Sequence, residues 1–432
     1  MESPCVALVN LGCSKNLVDG ENILGWFASR SFIVVSEPAQ AQVVLVNTCT
    51  FIQEATQEAI DTILEATRLK TDGNCATLIV SGCFSQRYRK EAATDFPEVD
   101  HWISVDNWEE ELTSLFPASR TGAAPLQRVI CTGTPTQYLK IAEGCSHGCS
   151  FCIIPSVRGR YHSRHAEDVV REARWLEEQG ARECILVAQD TSRFGREHRD
   201  TLTRLVERIL RETAIPWIRL MYLHPATIND SLLRLMESEQ RLCSYIDVPL
   251  QHYADTVLEA MNRRPLSRGI DRVVERIRTL APSAAIRTTF ITGFPAETPA
   301  AFRELLSFVE RTRFEKLGVF PFSPEAGTPA AQMRPRPRAA TAHRRSEILM
   351  DLQREISRQI GESRIGTSCT VLLEESVPGS AYHFEGRTQW DAPEVDGKVH
   401  LEEGDGTVGC FAAVRIVDAD AYDLFARPLQ TQ

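Results

Sequence analysis

YLKIAEGCSHGCSFCIIP, residues 138–155, runs from an apolar strand directly into a loop of Gly, Ser and Cys. Gly144, Ser146, Gly148 and Ser150 interleave the cysteines, so this is a turn-rich loop rather than a core strand holding buried thiols. Cys145, Cys149 and Cys152 stand in a C-x3-C-x2-C spacing. Three thiolates on one tight loop suit three corners of a four-iron, four-sulfur cluster and leave the fourth iron without a protein ligand. The amine and carboxylate of an amino acid could chelate that open corner. A zinc reading needs a fourth ligand; His147 lies inside the loop, but the spacing fits no finger pattern well.

Downstream, five more strand candidates follow: CILVAQD from Cys184, WIRLMYL from Trp217, YIDVPLQ from Tyr245, IRTTFITGF from Ile286 and KLGVFPFS from Lys316. Helical stretches such as HAEDVVREARWLEEQG and IDRVVERIRTL separate them. Six strand–helix units predict a partial (β/α)6 barrel, with fewer strands than the eight of a closed one.

Upstream, one pattern occurs three times. VALVNLG ends at Cys13, VVLVNTC at Cys49 and TLIVSGC at Cys83, each followed by a helix-like stretch. Continuous Val/Leu/Ile strands alternating with amphipathic helices predict a parallel sheet covered on both faces. Ligands bind at the carboxyl edge of such sheets, where all three cysteines fall. Any one could be an ordinary buried cysteine; three at equivalent positions predict a second cluster site. Cys5, Cys75, Cys131, Cys184, Cys243, Cys369 and Cys410 show no grouping and are expected to be structural.

The wider composition agrees. At 432 residues, 43% hydrophobic and 25% charged, the chain is globular. No apolar run approaches the roughly 20 residues of a membrane helix. No basic region precedes the apolar stretch of MESPCVALVNLGC, so it reads as a strand, and a cytoplasmic protein is expected. Thirteen cysteines, an odd count, do not suggest a disulfide framework. Pro117 to Gln137 reads as a linker, and Met333 to Arg345 as a Pro- and Arg-rich connector before a helix to about Gly361. The arginines of that run, Arg334, Arg336, Arg338, Arg344 and Arg345, read as solvated. The tail from Gly366 alternates like a small β-barrel, in SCTVLLEE, HFEGRTQ, GKVHLEE and TVGCFAAVRIVD. It carries four Lys or Arg against twelve Asp or Glu, a net of −8 within a chain total of −10. A nucleic-acid module normally shows the opposite sign, so direct nucleic-acid binding is not expected. The expected domains are 1–120 (α/β sheet), 131–362 (barrel) and 366–432 (small all-β barrel).

Phe151, just before the last loop cysteine, completes a run that resembles the radical S-adenosylmethionine signature. With NLGCSKNLVDGE, VVLVNTCTFI, VSGCFSQRY and LVAQDTS, the chain resembles the methylthiotransferase family from end to end. WIRLMYLHP, IDVPLQH, RTTFITGFPAET, LGVFPFSPEAGTPA and TQWDAPEVDG resemble its RimO branch. Gly20, Thr50 and Ala296 depart from the family pattern, which puts local loop geometry in question while the cysteines are intact.

The resemblance implies a TRAM domain at the C-terminus, two [4Fe-4S] clusters and S-adenosylmethionine. It implies transfer of a methylthio group to the β-carbon of an aspartate in small-subunit ribosomal protein twelve. Cys145, Cys149 and Cys152 would ligate the cluster that cleaves S-adenosylmethionine to a 5′-deoxyadenosyl radical. Cys13, Cys49 and Cys83 would ligate an auxiliary cluster carrying the sulfur, and a second S-adenosylmethionine would supply the methyl group. Reduced flavodoxin or ferredoxin would supply the electron. Phe151, Gln189, Asp190 and the Gly293 loop would contact S-adenosylmethionine, although each could equally order a strand end. His224, Gln251, His252 and Glu297 also fall at strand ends, with a structural or binding role expected for His252. Trp390, Asp391 and Glu394 are candidates for partner contact, or else a solvated rim. Two rivals stand beside this reading. A transfer-RNA adenosine methylthiotransferase would share both clusters and all three domains, and an iron or redox sensor would turn over no S-adenosylmethionine.

Overall fold

A computed structural model of the chain describes residues 3–117, 128–133, 135–377, 381–402 and 406–429. Two compact units emerge. The first comprises Met1–Gly133, Glu143–His147 and Cys152–Tyr161; the second comprises Thr134–Ala142, Gly148–Phe151 and His162–Gln432.

The first unit is a five-stranded parallel sheet in the spatial order Ile33–Val34, Cys5–Asn10, Val43–Thr48, Thr77–Ser81 and His101–Trp102. Its strands are β1 (Cys5–Asn10), β2 (Ile33–Val34), β3 (Val43–Thr48), β4 (Thr77–Ser81) and β5 (His101–Trp102). Helices α1 (Ser14–Ala28), α2 (Gln53–Asp72), α3 (Gly82–Asp95) and α4 (Trp108–Leu115) cover it. Every residue of β3 is buried because its two faces feed two cores. Val44 and Val46 join Ala59 and Ile63 of α2 and Phe84 of α3 on one face. Val43 and Leu45 join Ile23, Trp26 and Phe27 of α1 on the other. The period of two along the strand therefore decides which helix each valine meets.

Within the expected linker from Pro117 to Gln137, positions 118–127 and 134 lie outside the described residues. The stretch after them is no loose spacer. Arg128 Nε donates to Glu21 Oε2 at 2.6 Å, and the Cys131 amide donates to Glu21 Oε1 at 2.8 Å.

The second unit holds the six expected strands, as Thr136–Lys140, Glu183–Val187, Trp217–Leu220, Tyr245–Asp247, Ala285–Thr292 and Lys316–Pro321. They form two three-stranded parallel sheets with Thr136 opposite Glu183, Glu183 opposite Trp217, and Arg287 opposite Lys316. The Leu223 amide donates to Asp247 O at 2.9 Å where one sheet hands over to the next. The result is the open six-stranded barrel expected from the sequence.

After it, the helix Ala339–Ser363 starts earlier than expected, as soon as Pro337 is passed, because Ala339, Ala340 and Ala342 favour helix. Arg344 and Arg345 are therefore helical, and Arg345 is buried rather than solvated.

The tail closes into a five-stranded barrel of Ser368–Ser376, Phe384–Arg387, Val399–Leu401, Leu424–Pro428 and Phe411–Ala419 in spatial order. Leu424–Pro428, the strand that completes the closure, was not among the expected ones. Its core is Val371, Leu373, Val399, Leu401, Val414, Ile416 and Ala426 with their neighbours. Among the described residues no helix is long and apolar enough to cross a membrane.

Candidate functional site

Asn10, Asn47 and Ser81 occupy one rung at the carboxyl ends of β1, β3 and β4. Cys13, Cys49 and Cys83 follow within three residues of that rung. The edge is drawn together by side-chain amides. Asn47 Nδ2 donates to Asn10 Oδ1 at 2.8 Å and to Asn16 O at 2.6 Å. Asn16 Nδ2 donates to Thr48 O at 2.8 Å and to Leu11 O at 3.2 Å.

Two glycines make the approach possible. At Gly12, φ is +91° and a Cβ would lie 2.7 Å from Cys49 Cβ. At Gly82, φ is +87° and a Cβ would lie 2.4 Å from Thr48 O. Only glycine fits either position without displacing backbone.

The three thiols lie near enough to interact. Burial pushes the Cys49 thiol up, and the neighbouring Cys13 adds to the shift. Burial pushes Cys83 up to about 11; Arg158 pulls it back in part, while Cys13 and Cys49 oppose its ionisation. Burial therefore disfavours the thiolate at Cys49 and Cys83, and a metal bound there would have to displace their protons. Among the described residues, no three His, Cys, Asp or Glu side chains close on a single metal ion. A tetrahedral ion would draw thiolates onto bonds of about 2.3 Å. Three thiols presented from three strand ends are the donor type that an iron–sulfur cluster takes.

Arg158, which the sequence reading did not single out, belongs to this site. Its Nε lies 3.2 Å from Cys83 Sγ, and its Nη2 donates to Asn16 Oδ1. Its Nη1 donates to Asp19 Oδ2 at 2.5 Å and to Glu143 Oε2 at 3.2 Å.

The loop of Cys145, Cys149 and Cys152 is held by backbone at both ends. The Cys145 amide donates to Gly159 O at 3.1 Å, and Gly144 has φ +74° with Arg160 O 2.4 Å from where a Cβ would sit. In the second unit, the Ser150 amide donates to Met261 O at 2.9 Å and Ser150 Oγ to Ala260 O at 2.7 Å. Arg263 Nη1 points at Cys149 Sγ from 3.6 Å. Phe151 packs edge-on against Phe294, with ring centroids 6.3 Å apart.

The barrel's other candidates line its carboxyl rim. Asp190 is buried and accepts from Ser192 Oγ at 2.6 Å; Gln189 beside it is half-buried. Gly293 has φ +73° and donates its amide to Glu297 Oε2 at 2.5 Å. A Cβ there would come within 2.2 Å of Ala342 Cβ. Glu297 also meets His252 Nε2 at 3.3 Å and Arg345 Nη1 at 2.5 Å, so His252 is a buried part of the support under this loop. His224 Nδ1 accepts from the Ala226 amide at 3.2 Å, a local turn contact.

Asp391 turns inward and Trp390 is half-buried, so the two do not form a fully solvated rim. Asp391 is buried against Lys316 Nζ at 2.5 Å, and the Arg364 guanidinium lies 4.1 Å from the Trp390 ring centre. Glu394 alone of the three is exposed.

Residues 5–104 match the uncharacterized protein family UPF0004, residues 139–309 the radical SAM superfamily, and residues 365–429 the TRAM domain. The chain is 41% identical to the ribosomal protein uS12 methylthiotransferase RimO of Alkaliphilus oremlandii, over 97% of this chain and 98% of that one. It is 41% identical to the protein of the same name from Desulforudis audaxviator, over 100% and 98%. The Geobacter sulfurreducens protein of that name is 40% identical over 97% of each. Among solved structures, the radical S-adenosylmethionine methyltransferase TsrM of Kitasatospora setae, with cobalamin and a [4Fe-4S] cluster bound, superimposes with a TM-score of 0.57. The match covers 87% of this chain and 80% of that one at 15% identity, and is a likeness of fold.

Proposed function

The chain belongs to the RimO family, and from that premise we propose that it methylthiolates the β-carbon of an aspartate in ribosomal protein uS12. What carries this reading is the likeness, 40–41% identical over 97–100% of the chain, to relatives named for uS12 methylthiotransfer. The working division of labour is 1–120 for an auxiliary cluster, 131–362 for the radical chemistry and 366–432 for partner recognition.

Cys145, Cys149 and Cys152 would hold one [4Fe-4S] cluster, and Cys13, Cys49 and Cys83 a second. When bound, the first supplies the electron for reductive cleavage of S-adenosylmethionine, giving radical chemistry at a C–H bond that no side-chain acid or base could deprotonate. The stoichiometry proposed is two S-adenosylmethionine per product, one cleaved and one giving its methyl group. Flavodoxin or ferredoxin is the proposed electron donor.

The chain's own residues supply geometry. Glu297 holds the Gly293 amide, and with it the loop proposed to flank S-adenosylmethionine. Asp190, oriented by Ser192, and Gln189 offer polar atoms at the neighbouring strand end. Phe151, wedged against Phe294, anchors the cysteine loop to the barrel wall. The tail's net charge of −8 favours a basic protein over a phosphate backbone as partner.

Mass spectrometry of a strain lacking this gene tests the reading. Ribosomal protein uS12 and the modified adenosines of transfer RNA are compared with the parent strain. Loss of a methylthio group from the uS12 aspartate alone is the expected result. Loss from transfer RNA alone would replace the substrate assignment with the nucleic-acid one.

A further inference from the structure

Arg158 lies six residues beyond Cys152 and is 2% exposed. All three of its nitrogens are engaged, each in a different direction. Nε meets Cys83 Sγ at 3.2 Å, Nη2 meets Asn16 Oδ1, and Nη1 lies between Asp19 and Glu143. A guanidinium that merely neutralised two carboxylates would have no need to aim its Nε at a sulfur. With all its nitrogens committed, it cannot turn away.

We infer that Arg158 is a positioning residue for the cluster proposed at Cys13, Cys49 and Cys83, donating to the Cys83 sulfur and setting that cluster's reduction potential. This rests on the second-cluster reading above. The potentials of iron–sulfur clusters follow net charge and hydrogen bonds to the sulfurs. A donor with permanent positive charge favours the reduced, more negative state and raises the potential, and arginine does not deprotonate in proteins. Asp19 and Glu143 offset part of that charge, so the tuning is graded.

The carrier of this residue matters as well. Helix α5 (Ile154–Val157) follows the Cys145–Cys152 loop, and its Val157 packs with Ile153 against Cys83. The Arg158 amide donates to Ile154 O at 2.7 Å, so the backbone that carries the guanidinium is fixed to that helix. The segment that leaves one cysteine loop thus delivers the tuning group of the other site.

The test uses the full-length chain with Cys145, Cys149 and Cys152 all replaced by Ala, so that any remaining cluster is the auxiliary one. Its midpoint potential is read by electron paramagnetic resonance in a dithionite titration. Arg158→Met should lower the one-electron reduction equilibrium about tenfold, equal to 59 mV, and Arg158→Lys should restore most of it. Asp19→Asn should move the potential upward. An unchanged midpoint in Arg158→Met overturns the inference. If that variant holds no cluster, Asp19→Asn decides, and no upward shift there overturns it as well. Should the Cys→Ala parent itself bind no iron, the second-cluster reading fails and this inference with it.

Discussion

At the carboxyl rim of the barrel the buried carboxylate of Glu297 holds a loop; at the opposite end the buried carboxylate of Glu183 holds a whole domain. Glu297 divides its bonds among a backbone amide, a histidine and one arginine. Glu183 meets two arginines, Arg219 Nε at 2.7 Å from the barrel and Arg387 Nη2 at 2.5 Å from the small β-barrel. Those arginines spend their other donors on the Gln389 and Asp391 carbonyls and on Glu374. Nearby, Tyr245 Oη donates to Asp396 Oδ2 at 2.6 Å, and Trp217 packs edge-on to Phe411 with centroids 4.8 Å apart. The rim spends its buried charge on orienting a few atoms. The far end pairs its buried charges across two domains and thereby fastens them together. One fold can therefore put the same chemical group to work in aiming a loop or in locking a joint, and the partners decide which.

The largest expected effect lies at the rim. Cys145→Ala/Cys149→Ala/Cys152→Ala should reduce 5′-deoxyadenosine formation to background under anaerobic dithionite, while about half the iron is retained. The melting of the protein should change little. Reductive cleavage surviving in this variant would show that the loop does not carry the chemistry.

A smaller effect, of the opposite kind, is expected at the far end. Arg387→Met leaves half of a buried ion network uncompensated and should cost about 3–5 kcal/mol in urea unfolding, with 5′-deoxyadenosine formation per folded chain preserved. Acid gives an independent handle. Burial alone would raise the Glu183 carboxyl, but Arg219 and Arg387 outweigh it and hold it at about 2, against 4.5 when unconstrained. Because the folded value is the lower one, this stabilisation is complete above about pH 4.5 and drains away as pH falls toward 2. Its full size is about 3 kcal/mol. The acid limb should flatten in Arg387→Met, and an identical limb in both proteins would mean that the joint is held by its apolar contacts.

The smallest effect returns to the rim. Ala296 is exposed and has φ +77°, where a Cβ costs roughly 1–2 kcal/mol. Ala296→Gly should stabilise by about 0.5–1 kcal/mol in thermal melts after the extra unfolded-state entropy is counted. A loss of stability would mean that the neighbouring Glu297 network, and not the Ala296 backbone, sets the loop's shape.

What could be read in advance follows from range. The six barrel strands were legible because near-continuous apolar runs need no knowledge of distant partners, and the three N-terminal strand ends because each such run ends at a cysteine. The strand Leu424–Pro428 was not. LFARP is short, ends in proline and shows little alternation, and it is a strand because Phe411–Ala419 and Val399–Leu401 pair with it. Asp391 reads as an exposed acid in a polar tail, and only Lys316, far away in the sequence, makes it a buried one. Arg345 sits in a basic run that looks solvated until Glu297 is placed beside it. Arg158 carries no local mark at all: its meaning comes from Asp19 and Cys83, brought to it by the fold.

The helix Ala339–Ser363 touches both ends of the comparison. Thr292 Oγ1 donates to Ala342 O near its start, and Gly361 near its finish is where a Cβ would lie 3.1 Å from Ala419 Cβ of the small barrel. Its 25 residues span about 37 Å at 1.5 Å per residue. Such a rod is a ruler. Anything grasped by the small barrel is held at a set span from the loop that Glu297 aims, and adding a single residue to the helix would turn that grip by about 100° around the rod's axis.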